Sequence, residues 1–173
     1  MLYLGVDPGL RLTGYACVQI DPAGAPGRPA TPERPRLVEA GVFRLPAERP
    51  IADRLVELER DLADAVERLH PEVAAIEGLF AHYKRPITAV AMGHARGVIL
   101  LTLRRAGVEI VELQPTRVKK SLTGFGHASK RQMQEAVQAQ LGLAEPPTPA
   151  DVADAIAIAL CAARSPANRL PAL

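Results

Sequence analysis

Residues 2–20, LYLGVDPGLRLTGYACVQI, decide the fold. LYLGVD is apolar up to its final acid, breaks at Pro8-Gly9, and is answered by a second apolar run over 14–20 that opens at Gly14. Two short apolar runs joined by turn residues predict a β-hairpin whose first strand is buried. Asp7 is the anomaly in that strand. A bare carboxylate is costly to bury, so an acid at the end of an apolar strand must be paired, hydrogen-bonded, protonated or bound to metal. Asp-Pro-Gly is also a turn sequence in which Asp bonds the backbone, and taken singly that reading would account for Asp7.

Working outward, residues 21–35 hold five prolines and two glycines without apolar period, which predicts a long mobile loop. A third strand is expected over 36–45. From Pro50, the residues Ile51, Leu55, Leu58, Leu62, Ala65, Val66 and Leu69 recur at three- and four-residue steps opposite acids, the pattern of an amphipathic helix. EVAAIE (72–77) reads as a short central strand, 86–105 as an apolar helix with Gly93 and Gly97, and 108–113 as a fifth strand. A short basic helix after Pro115, a helix over about 129–141 and a last helix opening at Thr148-Pro149 complete an α/β layer protein. We expect one domain over 1–165 and a disordered tail over 166–173.

Three further acids resist a solubility explanation. Glu77 ends a strand that is apolar on both faces. Asp154 lies in DVADAIAIALCAA, a helix apolar nearly all round and therefore buried. Asp151, three residues earlier, shares its face, although Thr148, Pro149 and Asp151 also fit an N-cap, an N1 proline and the N3 acid of a capping box. Two acids on one helix face plus one at the end of each of two strands suit hard divalent cations. Oxygen-only donors favour Mg²⁺, or Mn²⁺ in its place, over zinc. Two such ions about 4 Å apart activate water and stabilise the leaving oxygen in phosphodiester cleavage.

Net charge is +2 overall, but between Lys84 and Arg131 ten basic residues stand against two acids, leaving −6 for the remainder. All four lysines fall in that window, and 113–131 carries five basic residues and no acid. Such a stretch suits a polyanion such as nucleic acid, or is a solvated basic face. Cys17 and Cys161 sit in apolar surroundings without metal spacing and read as small buried hydrophobes in a reducing compartment. No stretch reaches eighteen uninterrupted apolar residues and no export signal is evident, so a cytoplasmic protein with no membrane association is expected. Of the four histidines, His70 and His94 read as capping or packing residues, and His82 and His127 lie near the basic stretch.

Five segments in order, GVDPGLRLTGYA (5–16), IEGLF (76–80), HARGVIL (94–100), VKKSLTGFGHASK (118–130) and PADVADAIAIA (149–159), resemble the RuvC-type Holliday-junction resolvases of the RNase H-like, retroviral integrase superfamily. The resemblance spans nearly the whole chain. It implies an RNase H-like fold, a five-stranded mixed sheet flanked by helices. It places Asp7, Glu77, Asp151 and Asp154 as the metal-binding catalytic acids, with two Mg²⁺ ions per site, and Lys119 beside them in catalysis. Phe80 matches an aromatic at the junction point, and Lys84, Arg85, Arg117, Lys119, Lys120, Lys130 and Arg131 are expected on DNA. The implied partners are four-way junction DNA, a second copy of the chain through the helix holding Gly93 and Gly97, and the branch-migration complex RuvA/RuvB. Three other readings stay open: a catalytically silent junction-binding module, a ribonuclease H-like nuclease with another substrate, and an actin- or sugar-kinase-type ATPase, which would need a second related domain.

Overall fold

Leu2–Asp7 (β1) and Leu12–Gln19 (β2) form the hairpin as antiparallel neighbours, in a computed structural model that describes residues 1–9, 11–20, 35–78 and 86–164. Apart from Pro35, the proline-rich stretch 21–35 lies outside the described residues, as does the tail 166–173. Arg36–Arg44 (β3) adds antiparallel to β2, with a register shift between Cys17 and Val18. The amphipathic helix runs Ile51–Leu69 (α1), preceded by Pro50 and closed by His70, whose φ of 47° ends the helix in the left-handed region. Val73–Glu77 (β4) then pairs parallel to β1, and Pro86–Arg105 (α2) leads to Glu109–Leu113 (β5), parallel to β4. The sheet order is β3-β2-β1-β4-β5, mixed and five-stranded, with β1 and β4 at its centre.

Pro115–Thr123 (α3), Lys130–Leu141 (α4) and Ala150–Ala163 (α5) are the remaining helices among the described residues. Ser129 and Gln132 form a reciprocal capping box at the start of α4, which fixes where Lys130 begins that helix.

Strand side chains alternate between two cores. Leu4, Val6, Cys17, Ala74 and Ile76 face α1 and α2, with Leu58, Leu62, Ile99 and Leu103. Tyr3, Ala16, Val18, Val73, Ala75, Val111 and Leu113 face the other way, onto α5 with α3 and α4 around it. By the same alternation Asp7 and Glu77 belong to the α5 side.

Two glycines let α5 lie directly on the sheet. A Cβ on Gly5 would overlap the Ala155 carbonyl oxygen, and one on Gly14 the Asp151 carbonyl oxygen. Every residue of α5 from Val152 to Ala162 is buried except Asp154, which is half-buried. Arg164 fastens the far end, donating to the Ser121 carbonyl at 3.0 Å and to Gln140 Oε1 at 2.8 Å.

Candidate active site

One residue beyond the Val6–Ile76 pair, Asp7 and Glu77 close adjacent parallel strands, whose backbones run about 4.8 Å apart. Gly14 is the antiparallel partner of Asp7, and its missing side chain is where the first turn of α5 descends. That contact brings Asp151 and Asp154 to the same strand ends.

The hairpin turn does not consume Asp7. Its hydrogen bonds come from Thr13, whose hydroxyl lies 3.1 Å from the Gly9 carbonyl and 3.4 Å from the Gly9 N–H, and among the described residues none reaches the Asp7 carboxylate. The capping box that would have been the alternative reading of Asp151 is not formed either. Pro149 takes the N-cap position with extended backbone and no side-chain cap, so Asp151 is the second helical residue and its carboxylate is left for the site.

The acids perturb one another. Burial raises the Asp7 pKa to about 8, helped by repulsion from Glu77, Asp154 and Asp151 and opposed by Lys130. Burial likewise raises Glu77, with repulsion from Asp154 added and Lys119 opposing. Asp154 is raised by burial and by Asp151, against the pull of Lys130 and Lys119. The four acids and two of the expected lysines therefore share one electrostatic neighbourhood.

Among the described residues, no group of three His, Cys, Asp or Glu side chains is placed to hold a metal ion directly. The donor set nevertheless fits divalent cations. Mg²⁺ is content with one or two carboxylates and keeps several waters. A half-buried cluster in which burial and mutual repulsion raise the pKa values of Asp7, Glu77 and Asp154 is also what such ions relieve.

The basic window is not one surface. Arg104 and Arg105 end α2 on the far side of the sheet from Lys119 and Lys130. Arg131 pairs with Glu135 at 2.8 Å on the exposed face of α4. Arg117 and Lys120 line a shallow depression with Thr116, Ser121 and Gly126. Phe80, Lys84, Arg85 and His82 lie outside the described residues.

Arg96 was counted toward the polyanion surface and belongs elsewhere. It is 8% exposed, donates to the Glu77 carbonyl at 2.8 Å and pairs with Glu112 at 2.9 Å. Its guanidinium thus ties α2 to the end of the strand that carries Glu77. Nothing in the local pattern announced this, because the acceptors are a backbone carbonyl and an acid on β5; an arginine inside an otherwise apolar helix was the only signal.

The crossover junction endodeoxyribonuclease RuvC family model matches residues 3–162. The chain is 46% identical over 160 residues to the crossover junction endodeoxyribonuclease RuvC of Rhodopirellula baltica, covering 91% of this chain and 83% of that one. It is 44% identical over 161 residues to that of Chloroflexus aggregans, covering 93% and 92%. Among solved structures, Thermus thermophilus RuvC in complex with a Holliday junction substrate superposes with a TM-score of 0.83 at 28% identity, over 98% of this chain and 99% of that one. The yeast mitochondrial resolvase Ydc2 shares the fold, with a TM-score of 0.63 at 13% identity over 92% of this chain and 76% of that one. With two glycines seating the last helix on the sheet and acids from three elements gathered at one end of it, the chain belongs to the RuvC family of crossover junction endodeoxyribonucleases.

Proposed function

We propose that this protein resolves four-way DNA junctions by symmetric nicks in two strands of like polarity. Its relatives are named crossover junction endodeoxyribonucleases, and one structure that it matches over nearly its whole length holds a Holliday junction. The observation that carries the reading to this chain is the convergence of Asp7, Glu77, Asp151 and Asp154 beside Lys119 and Lys130.

In this reading the four acids hold Mg²⁺, or Mn²⁺ in its place, in two sites. When bound, the ions supply the charge that activates water and stabilises the departing 3′ oxygen. The residues do the rest. Glu77 and Asp7, fixed at the ends of central strands, set the position of the scissile phosphate. Lys119 and Lys130 approach from α3 and α4 and neutralise it. Lys120 and Arg117 hold phosphates further along a strand, contacts that give affinity without sequence preference.

We further propose a homodimer through α2. By length and composition α2 is apolar enough to cross a membrane, yet one face of it packs on the sheet with Ala95, Ile99 and Leu103 buried. The other face presents Ile87, Val90, His94, Gly97 and Leu101 at alternating three- and four-residue steps, with open space over Gly93 and Gly97. His94, read from the sequence as a capping or packing residue, lies exposed on this outer face. A two-fold pair would offer two equivalent sites to a two-fold junction, which the branch-migration complex then delivers.

The test is cleavage of a synthetic four-way junction, an RNA–DNA hybrid and a linear duplex of equal length in Mg²⁺. We expect paired nicks in the junction alone, and their loss by at least a thousandfold in Asp7→Asn and Glu77→Gln. Equal cleavage of all three substrates, or junction cleavage that survives both substitutions, would overturn the assignment.

A further inference from the structure

The connection between α3 and α4, which begins Gly124-Phe125-Gly126-His127, contains an aromatic side chain that the fold does not use. Of the four described aromatic residues, Tyr3 and Phe43 are buried and Tyr15 stacks on Phe43 at 4.5 Å, whereas Phe125 is 59% exposed. A single exposed apolar residue needs no explanation by itself. Here, however, the exposure is not that of a loose segment.

Gly124, in the left-handed conformation with φ of 78°, closes α3 through a bond from its N–H to the Lys120 carbonyl at 2.9 Å. The Thr123 hydroxyl accepts from the Phe125 N–H at 3.1 Å and lies 3.0 Å from the Phe125 carbonyl, which also accepts from Ala128 N–H at 3.3 Å. Leu122 and Ala128, on either side, are anchored in the core. The backbone is thus held at both ends and at Phe125 itself while the ring stands out. His127 meets that ring edge-on, with centroids 5.7 Å apart and planes at 67°, which leaves a ring face open.

The surroundings indicate what that face meets. Lys119 and Lys130, both in the acid neighbourhood, sit on the two helices that the loop joins, and Gly126 lines the same depression as Arg117 and Lys120. A fixed aromatic among cations that track phosphates is how proteins hold unpaired bases. A protein partner is the weaker fit, because the apolar stripe suited to a second copy lies across the sheet on α2.

We propose that Phe125, braced by His127, is a stacking platform for a nucleobase left unpaired at or beside the branch point of the bound DNA. The inference rests on the junction reading above and adds to it a contact with a base, where the lysines and acids address only phosphate.

The experiment places 2-aminopurine at and next to the branch point of a four-way junction and follows its fluorescence on titration in Ca²⁺, with a matched linear duplex alongside. For the wild type and Phe125→Trp we expect a fluorescence change at one of the labelled positions. For Phe125→Ala we expect no such change and junction binding about tenfold weaker, within the range of one lost base–aromatic stack. Duplex binding should be equal in all three. Wild-type fluorescence and affinity retained in Phe125→Ala, or equal weakening on junction and duplex, would overturn the platform. A wild type that does not prefer junction to duplex would instead remove the junction reading, and this inference with it.

Discussion

Burial and three neighbouring carboxylates hold the Asp7 proton until about pH 8, against 3.8 for the free side chain. Between those values the folded protein binds more protons than the unfolded chain, so stability falls as pH rises through that window. In EDTA, the melting temperature of the wild type should drop between pH 5 and pH 8, and that of Asp7→Asn should drop less. Mg²⁺ at pH 8 should restore the wild type and do little for the variant. A wild-type midpoint that is flat or rising across that range in EDTA would contradict the electrostatics described. Arg96 acts at the same scale and in the opposite sense, as a cation inside apolar surroundings whose partners are both present. Arg96→Ala should cost about 1–3 kcal/mol by leaving a carbonyl and an acid unpaired. Arg96→Lys keeps the charge but not the fork, and should lower turnover about tenfold with junction affinity unchanged. If turnover in Arg96→Lys equals that of the wild type, the guanidinium does not position Glu77.

At the level of elements, the placement of α5 depends on Gly14 as much as on its own apolar surface. Gly14→Ala forces the helix off the hairpin, at a cost of about 1–3 kcal/mol for overpacking. Because the atom it displaces belongs to Asp151, cleavage measured well below the melting temperature should fall further than stability does, by a hundredfold or more. Near-normal cleavage in a destabilised Gly14→Ala would show that the acids tolerate movement of α5. Elements of this kind were legible because their signals are local: β1 and α2 lie where alternation, proline and apolar runs put them. Asp154 was legible as an acid in a helix without a polar face. Asp151 was ambiguous, since Thr148-Pro149 mimics a cap, and only the extended backbone at Pro149 settles it. The Arg96 bridge and the division of the basic residues between two faces of the sheet were not legible, because both depend on strand order, which no local pattern encodes.

For the molecule as a whole, the outer face of α2 should govern association. Ile87, Val90 and Leu101 are 86%, 59% and 51% exposed in the single chain, an apolar stripe that a second copy would cover. Val90→Glu with Leu101→Glu should convert a dimer to monomers in sedimentation, and singly nicked junctions should accumulate in place of resolved duplexes. Unchanged sedimentation would place the contact elsewhere. The seating of α5 on the opening hairpin has one more consequence, which concerns the time at which the protein is made. Asp7 lies in the first strand and Asp154 in the last helix. At the ordinary pace of about 5–20 residues per second, a ribosome needs roughly 7 to 30 s to travel from one to the other. Throughout that interval the growing chain has Asp7 and then Glu77 but neither acid of the last helix. Under the assignment proposed for the four acids, competence to cut arrives only with α5.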